Sequence, residues 1–398
     1  MKKLLLVIFV VFGYCSVAQH PVFVSPRIDT TNVRNKAILE LWQEYRQKRW
    51  DNRWVEMYDF SEYWAESELR YKSFDFYRTG LSNLDFLYIY TPSYALQIDS
   101  VDVDMFSLRV MTMQPINYDF IHRDSIKCED YYPAALFTVK IVRDSTGYKL
   151  TNAFTLNKAR KQTYDMPPIR YYFDKDYPFD TLAVRQAHQK LLDFSRKYQL
   201  SFLNEPLIEF FVYSKRSQIN KDFGFDLHPF SLPSDIVRDI GGTQIATNRM
   251  VFYGGPKSES NIHEVIHILL RQITPAPTML EEGICTYYGG SMGKPYGELK
   301  AGLIKYLKKR PEIDFSTTNV FEISNFDYNH TYTIMAVLVE YAEKQWGPER
   351  VTEMLKFEAE RSSAGDEVAF WTLVDTYFET EKSEFANFLR RILNANDK

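Results

Sequence analysis

His263-Glu264-Val265-Ile266-His267 dictates more about this chain than any other stretch. The five residues sit in an apolar run from Ile262 to Leu270. On a helix, residues four apart lie one turn above each other, so both imidazoles leave from one face. That is the spacing two ligands of a single tetrahedral zinc need. Glu264 lies beside them, placed to take a proton from a water activated there. The competing explanation is a chance match on an amphipathic helix. Histidine is scarce, 7 in 398 residues, so accident is a poor account of two histidines and a glutamate at this spacing. The fold must then supply a buried helix here and a second element that brings a further ligand to it.

That second element follows at once. Thr274-Pro275-Ala276-Pro277 must break the helix, and a new segment opens over residues 278–288. Thr278 can cap it, with Glu281 three residues on at capping-box spacing. Two helices joined by a short proline loop pack side by side, so a carboxylate early in the second can face the histidines of the first. Glu281 and Glu282 both qualify by position.

These residues resemble the gluzincin metallopeptidases, in which H-E-x-x-H is followed downstream by Glu-Gly on a second helix. The match is carried by Leu280-Glu281-Glu282-Gly283-Ile284-Cys285-Thr286-Tyr287. The resemblance implies that the glutamate directly before the glycine, Glu282, binds zinc with His263 and His267, one ion per chain. Glu281 is then expected to be a solvated capping residue, and Glu264 the general base. The string Tyr332-Thr333-Ile334-Met335-Ala336-Val337-Leu338-Val339-Glu340-Tyr341, closing at Trp346-Gly347, resembles the helix after the site in this family. There a tyrosine often donates to the oxyanion. Tyr332 leads the candidates for that role, followed by His330 and Tyr328. His122, His188 and His228 have no partner at ligand spacing and are expected to be structural or exposed.

The likeness covers roughly residues 168–398, and its specific part is confined to 263–288. The aminopeptidase branch carries Gly-x-Met-Glu-Asn on a strand upstream, whose glutamate holds the substrate amino terminus. Here the corresponding residues, Gly241 to Asn248, contain no acid. That points away from amine recognition and toward an endopeptidase or an unusual specificity. Gly241-Gly242 is either a turn or a backbone against which substrate adds as a strand.

The remaining features bound the setting. Lys2 and Lys3, the apolar run Leu4 to Phe12, and Ser16-Val17-Ala18 before Gln19 read as a cleaved signal peptide over residues 1–18, hence an exported, periplasmic or extracellular protein. Gly13-Tyr14 before Cys15 fits a lipoprotein signal poorly. No run reaches the ~18 apolar residues of a membrane span. Cys128 and Cys285, the cysteines left after cleavage, are too few for a disulfide scaffold, and Cys285 reads as a small buried apolar residue. A net charge of −4 gives no support for nucleic acid as partner; the gluzincin resemblance is what implies a peptide or protein substrate. Nothing in the sequence sets the oligomeric state.

The fold class is α+β. Residues 19–160 read as an N-terminal accessory domain: a helix from Asn32 to Trp50, a second within Phe60 to Tyr77, then strands at Phe86–Tyr90, Tyr94–Val103, Phe106–Met113, Ala135–Val142 and Tyr148–Phe154. Helices followed by an antiparallel meander suggest a roll, similar to the cystatin-like rolls of the nuclear-transport-factor type. The Trp/Tyr stripe through Trp50, Trp54 and Tyr58 is taken as packing rather than a sugar platform. Lys158 to Pro168 reads as a linker. Residues 168–398 then hold strands at Ile169–Phe173, Leu207–Tyr213 and Arg249–Tyr253 and a helix from Asp180 to Tyr198. The zinc helix pair follows, and then helices at Gly297–Lys309, Tyr332–Trp346, Val351–Arg361 and Ser383–Ile392. The expectation is an exported zinc-dependent peptidase. Its rivals are a non-catalytic protein that keeps zinc for stability, against which the intact Glu264 argues, and a zinc hydrolase of a non-peptide amide such as cell-wall material.

Overall fold

The computed structural model describes residues 22–51, 59–71, 93–115, 131–227, 239–275, 277–323 and 329–395. The expected leader with Cys15, Trp54, Tyr58, the strand Phe86–Tyr90, His122, Cys128, His228 and Tyr328 lie outside them. The protein is α+β, with two mixed sheets, and divides into two compact units. The first comprises Met1–Arg160 and Asn220–Ser231, the second Lys161–Ile219 and Leu232–Lys398.

In the first unit, helix α1 (Val33–Asp51) starts where Asn32 Oδ1 accepts from the Arg34 and Asn35 amides, at 3.0 and 3.3 Å. Its buried stripe of Ile38, Trp42 and Tyr45 packs on a sheet of order β1-β2-β3-β4-β5. These strands are β1 (Val22–Val24), β2 (Ser93–Asp102), β3 (Met105–Pro115), β4 (Tyr131–Asp144) and β5 (Gly147–Thr151). β1 runs parallel to β2, and the rest of that path is antiparallel. Trp42 stands edge-on to Phe137 at 6.1 Å and donates to Ser93 Oγ at 3.3 Å, so this aromatic is core. The turn at Asp144–Gly147 forms because Asp144 Oδ1 accepts from the amides of Thr146 and Gly147. Two expectations change here. Between Phe60 and Tyr77 the described residues make only short 3₁₀ turns, Ser61–Tyr63 and Glu66–Glu68. The strand expected to reach Phe154 stops at Thr151, and Ala153–Lys158 is a helix, α2.

The second unit is built on a sheet of order β10-β11-β8-β7-β6. At its centre β7 (Ile169–Phe173), β8 (Ile208–Tyr213) and β11 (Met250–Gly254) are parallel. Helix α3 (Thr181–Lys197), capped by Asp180, makes the crossover from β7 to β8. Every residue of β11 is buried, as a strand covered on both faces must be. The sheet is flanked by antiparallel strands β6 (Gln162–Met166) and β10 (Gly241–Ile245). Five residues of the expected linker, Gln162–Met166, are therefore strand. β6 pairs with β7 across Pro167-Pro168, and its exposed polar residues gave it the look of a loop. Between β8 and β10 lie α4 (Arg216–Asp222) and β9 (Phe225–Leu227), a strand that pairs with β4 in the first sheet.

Among the described residues, seven α-helices complete the unit. They are α5 (His263–Leu270), α6 (Met279–Gly289), α7 (Tyr296–Lys309), α8 (His330–Trp346), α9 (Pro348–Ala359), α10 (Asp366–Phe378) and α11 (Phe385–Ala395). α10 was not expected; DEVAFWTLVDTYF is rich in β-branched and aromatic residues and has little helical periodicity. One contiguous core joins the parallel strands, α3 and the helices from α5 onward. No helix among the described residues is long and apolar enough to cross a membrane.

Candidate metal centre

β11 delivers the chain into α5, and the helix buries all but Glu264 of its eight residues. Thr278 ends the following loop and caps α6, its Oγ1 accepting from the Glu281 amide at 3.1 Å. A buried carboxylate from α9 assists, Glu358 Oε2 accepting from the Leu280 amide at 2.8 Å. Gly283 then lets α6 lie against α8. A Cβ there would come within 2.7 Å of the Met335 backbone carbon and 2.8 Å of its carbonyl oxygen.

The two helices meet at three atoms. His263 Nε2 lies 3.3 Å from His267 Nε2, and Glu282 Oε2 lies 3.3 and 3.5 Å from the two nitrogens. His263 Nδ1 faces the Gly290 carbonyl at 2.7 Å, and His267 Nδ1 faces Glu281 Oε1 at 2.5 Å. Both partners can only accept, so each Nδ1 carries a proton and the neutral ring offers its Nε2 as a lone pair. Although burial opposes it, contacts with Cys285, Glu281 and Glu282 raise the His267 imidazole well above its ordinary range. The two Nε2 atoms and a carboxylate oxygen form a nearly equilateral triangle that could hold a cation. Ligands at the ~2.0–2.2 Å of a tetrahedral zinc stand about 3.3–3.6 Å apart, which is the separation found. Glu282 Oε2 is buried and has no hydrogen-bond partner, as an oxygen reserved for an ion would be. The donor set thus fits zinc.

His263, His267 and Cys285 also form a compact set, with one ligand atom from each within 4.8 Å of the others. Cys285 is wholly buried, which pushes its thiol up to about 12. Glu282 would be the better third ligand, its Oε2 standing 3.3 and 3.5 Å from the two Nε2 atoms.

Glu281 is not the solvated cap expected of it. It is 0% exposed, and Oε1 accepts from both His267 Nδ1 and Arg271 Nη2, the latter at 2.6 Å. Consecutive residues on a helix point about 100° apart, so Glu281 and Glu282 reach opposite nitrogens of the same imidazole. The half of the capping box that needs the Glu281 side chain is given up to this contact.

Glu264 faces a cleft of ≈ 570 Å³ within this unit, whose walls include His263, His267, Glu282, Tyr332, Tyr253, Arg216, Gln244 and the edge strand β10. Burial raises the Glu264 carboxyl above its ordinary range, although the neighbouring histidines oppose this. Gly241-Gly242 is strand, not turn, and runs directly over the base. A Cβ at position 242 would lie 2.9 Å from Glu264 Oε1 and 2.4 Å from the Tyr253 ring. Burial, with Glu264 adding to it, pushes the Tyr253 hydroxyl up to about 12. Burial and the charge of Glu282 likewise raise Tyr332, which keeps its proton to donate.

The structure therefore brings His263, Glu264, His267, Glu282 and Tyr332 to one cleft. It does not bring His330 there. That ring is buried against Tyr306 at 4.4 Å, and burial lowers it to about 4. His188 accounts for itself by contacting the Pro167 carbonyl at 2.9 Å. Sequence reasoning missed Arg216, Tyr253, Gln244 and Arg271 in the cleft wall, and the Gly290 carbonyl behind His263. Only Arg271 carried a signal, four residues beyond His267 on the same helix face. No protein-family model matches the chain, and no curated protein matches it.

Proposed function

We propose that the chain is an exported zinc-dependent peptidase of the gluzincin type. The observation that carries this is the triangle of His263 Nε2, His267 Nε2 and Glu282 Oε2, with a half-buried carboxylate, Glu264, beside it but outside it. Zinc held by those three atoms would supply Lewis acidity and draw the pKa of a water from ~15.7 toward ~7.

The chain's own residues do the rest. Glu264 takes the proton of the attacking water and returns it to the leaving amine, work suited to a carboxyl whose affinity for protons burial has raised. Tyr332 offers its hydroxyl where the carbonyl oxygen gains charge. β10, the last strand of its sheet, offers backbone groups along which an extended peptide can add. A zinc kept only for stability would have no use for Glu264 or for an open cleft around the ion.

The test is metal analysis and a peptide-library digest on one purified sample. One zinc per chain is expected. His263→Ala and His267→Ala should lose both zinc and cleavage. Glu264→Gln should keep zinc and lose cleavage by several orders of magnitude. A chain that takes up no zinc, or a Glu264→Gln variant that cleaves like the wild type, refutes the proposal.

A further inference from the structure

Gln244 brings to the cleft an acceptor that the fold leaves unused. Its Oε1 is buried and has no hydrogen-bond partner among the described residues. Such an atom lowers stability where it stands alone, and an aliphatic side chain would avoid the loss. The residue lines the cleft, and the strand that carries it fixes its place there. It is the fourth residue of β10 and pairs with Val251 of β11, in a register without a bulge from Gly241 to Ile245. Side chains alternate along a strand, so Gln244 leaves β10 on the same face as Gly242. On that face a Cβ at Gly242 would lie 2.9 Å from Glu264 Cγ and Oε1. The Gln244 amide therefore stands on the side of the general base, about 7 Å further along the strand.

Strand geometry says what meets it. β10 is the last strand of its sheet, and an extended peptide adding to it pairs more stably antiparallel than parallel. The peptide then runs from the Ile245 end toward Gly241, so the part N-terminal to the bond at Glu264 passes Gln244. That part presents an ammonium where the chain begins, or the N–H of a peptide group where the chain continues. The cleft wall discriminates between them. Among the described residues its carboxylates are Glu264 and Glu282, committed as base and as ligand, so no acid remains to pair with an ammonium, and Arg271 adds a like charge. An ammonium taken out of water without a counter-charge is strongly disfavoured, whereas a neutral N–H needs only an acceptor.

We propose that Gln244 is a specificity residue, its Oε1 accepting a peptide N–H on the N-terminal side of the scissile bond. The substrates are then chains that continue past this point or are acylated there, not chains that begin there with a free amine. This rests on the peptidase reading for the bond that is cut, but not for the recognition of the amide.

The experiment is calorimetric titration of the zinc-loaded full chain carrying Glu264→Gln, so that nothing turns over. The reference probe is acetyl-Ala-Phe-Ala-amide. The same peptide with a free amine in place of the acetyl group tests the charge. Two depsipeptides, with an ester oxygen in place of the N–H of the first Ala or of Phe, test the donor. The reference should bind about 10- to 100-fold tighter than the free amine and than at least one of the esters. Adding Gln244→Met, which keeps the length of the side chain without its acceptor, should bring the ester ratio close to one. Adding Gln244→Glu should shift the preference toward the free amine. Zinc content, measured on each variant, shows that the site is still formed. Esters that both bind like the reference with Gln244 intact, an ester ratio that survives Gln244→Met, or a free amine bound as tightly as the reference overturns the proposal. A chain that discriminates among the probes in this way but whose wild type cleaves no peptide upholds the amide site and overturns the peptidase reading alone.

Discussion

Glu281→Ala is the most informative substitution, because the sequence and the structure give opposite expectations for it. As a solvated cap Glu281 would cost almost nothing to remove. In the structure its Oε1 is the acceptor for His267 Nδ1 at 2.5 Å and for Arg271 at 2.6 Å, with the side chain fully buried. Removing it leaves the His267 N–H without its acceptor, so the ring is no longer held with its Nε2 toward the other ligands. Loss of such an outer partner typically weakens metal binding about 10- to 100-fold, or roughly 1.4–2.7 kcal/mol. The metal-free fold should suffer as well. Breaking a buried pair costs about 3–5 kcal/mol, and the lower end applies because Arg271 retains some solvent contact, with 21% of its side chain exposed. Glu281→Gln keeps an oxygen for the imidazole N–H and should lose less. Competition titration against a zinc-responsive chelator should therefore rank affinities as wild type, Glu281→Gln, Glu281→Ala and, weakest, Glu282→Ala, which loses a ligand outright. Urea unfolding of the metal-free proteins measures the second effect. Wild-type zinc affinity in Glu281→Ala would refute the assignment of this carboxylate to His267.

Tyr332→Phe should keep zinc and KM while lowering kcat about 10²–10³-fold, since the lost donor acts only in the transition state; steady-state kinetics check this, and an unchanged kcat removes Tyr332 from the mechanism. His330 should make the fold acid-sensitive. Its buried ring titrates near 4 against ~6.5 unfolded, so the unfolded chain binds more protons between those values. Stability is then complete above about pH 6.5 and falls by about 2–3 kcal/mol as pH drops to 4. Urea midpoints across that range should show the loss, and His330→Phe should flatten it. Gly283→Ala places a methyl 2.7 Å from the Met335 backbone, which cannot move aside as a side chain would. A cost of about 1–3 kcal/mol is expected, visible as a lower melting temperature and reduced activity; a Gly283→Ala variant that melts with the wild type shows that α6 and α8 are not so closely packed.

What the sequence disclosed, and what it hid, follows from how local each signal is. The pairing of His263 with His267 is a property of one helical turn, and Thr278 and the proline loop are local punctuation, so the helix pair could be read directly. The parallel strands could be read too, because Ile169–Phe173, Ile208–Tyr213 and Met250–Gly254 are apolar runs suited to burial on both faces. β6 escaped because an edge strand with exposed polar residues and a Pro-Pro turn has the composition of a loop. Arg216 escaped for a different reason. It lies 47 residues before His263 in the sequence, and what brings it to the cleft is the tie between α4 and Asp239, a contact with no sequence period. Tyr332 led His330 as a candidate only on pattern, because the two are two residues apart at the start of one helix and chain order does not show which of them faces the cleft. Two positions is about 200° of rotation, so one ring faces the cleft and the other Tyr306.

The same rotation explains why Glu281-Glu282-Gly283 works as a unit. Each successive residue of α6 addresses a different neighbour. Glu281 turns to His267 Nδ1 and Arg271, Glu282 to the two Nε2 atoms, and Gly283 to the backbone of α8. The first orients a ligand, the second is positioned to be one, and the third sets how near α8 stands. That distance matters because Tyr332 is the third residue of α8, and its hydroxyl must reach the cleft that Glu282 faces. A side chain at 283 would push α8 outward and take Tyr332 with it, leaving the histidines in place. On the proposed mechanism, the glycine after the glutamate thus serves the placing of Tyr332 rather than that of the metal-binding side chains. Gly283→Ala should accordingly lower kcat at unchanged zinc content, a pattern opposite to that of Glu281→Ala, which strikes the metal first.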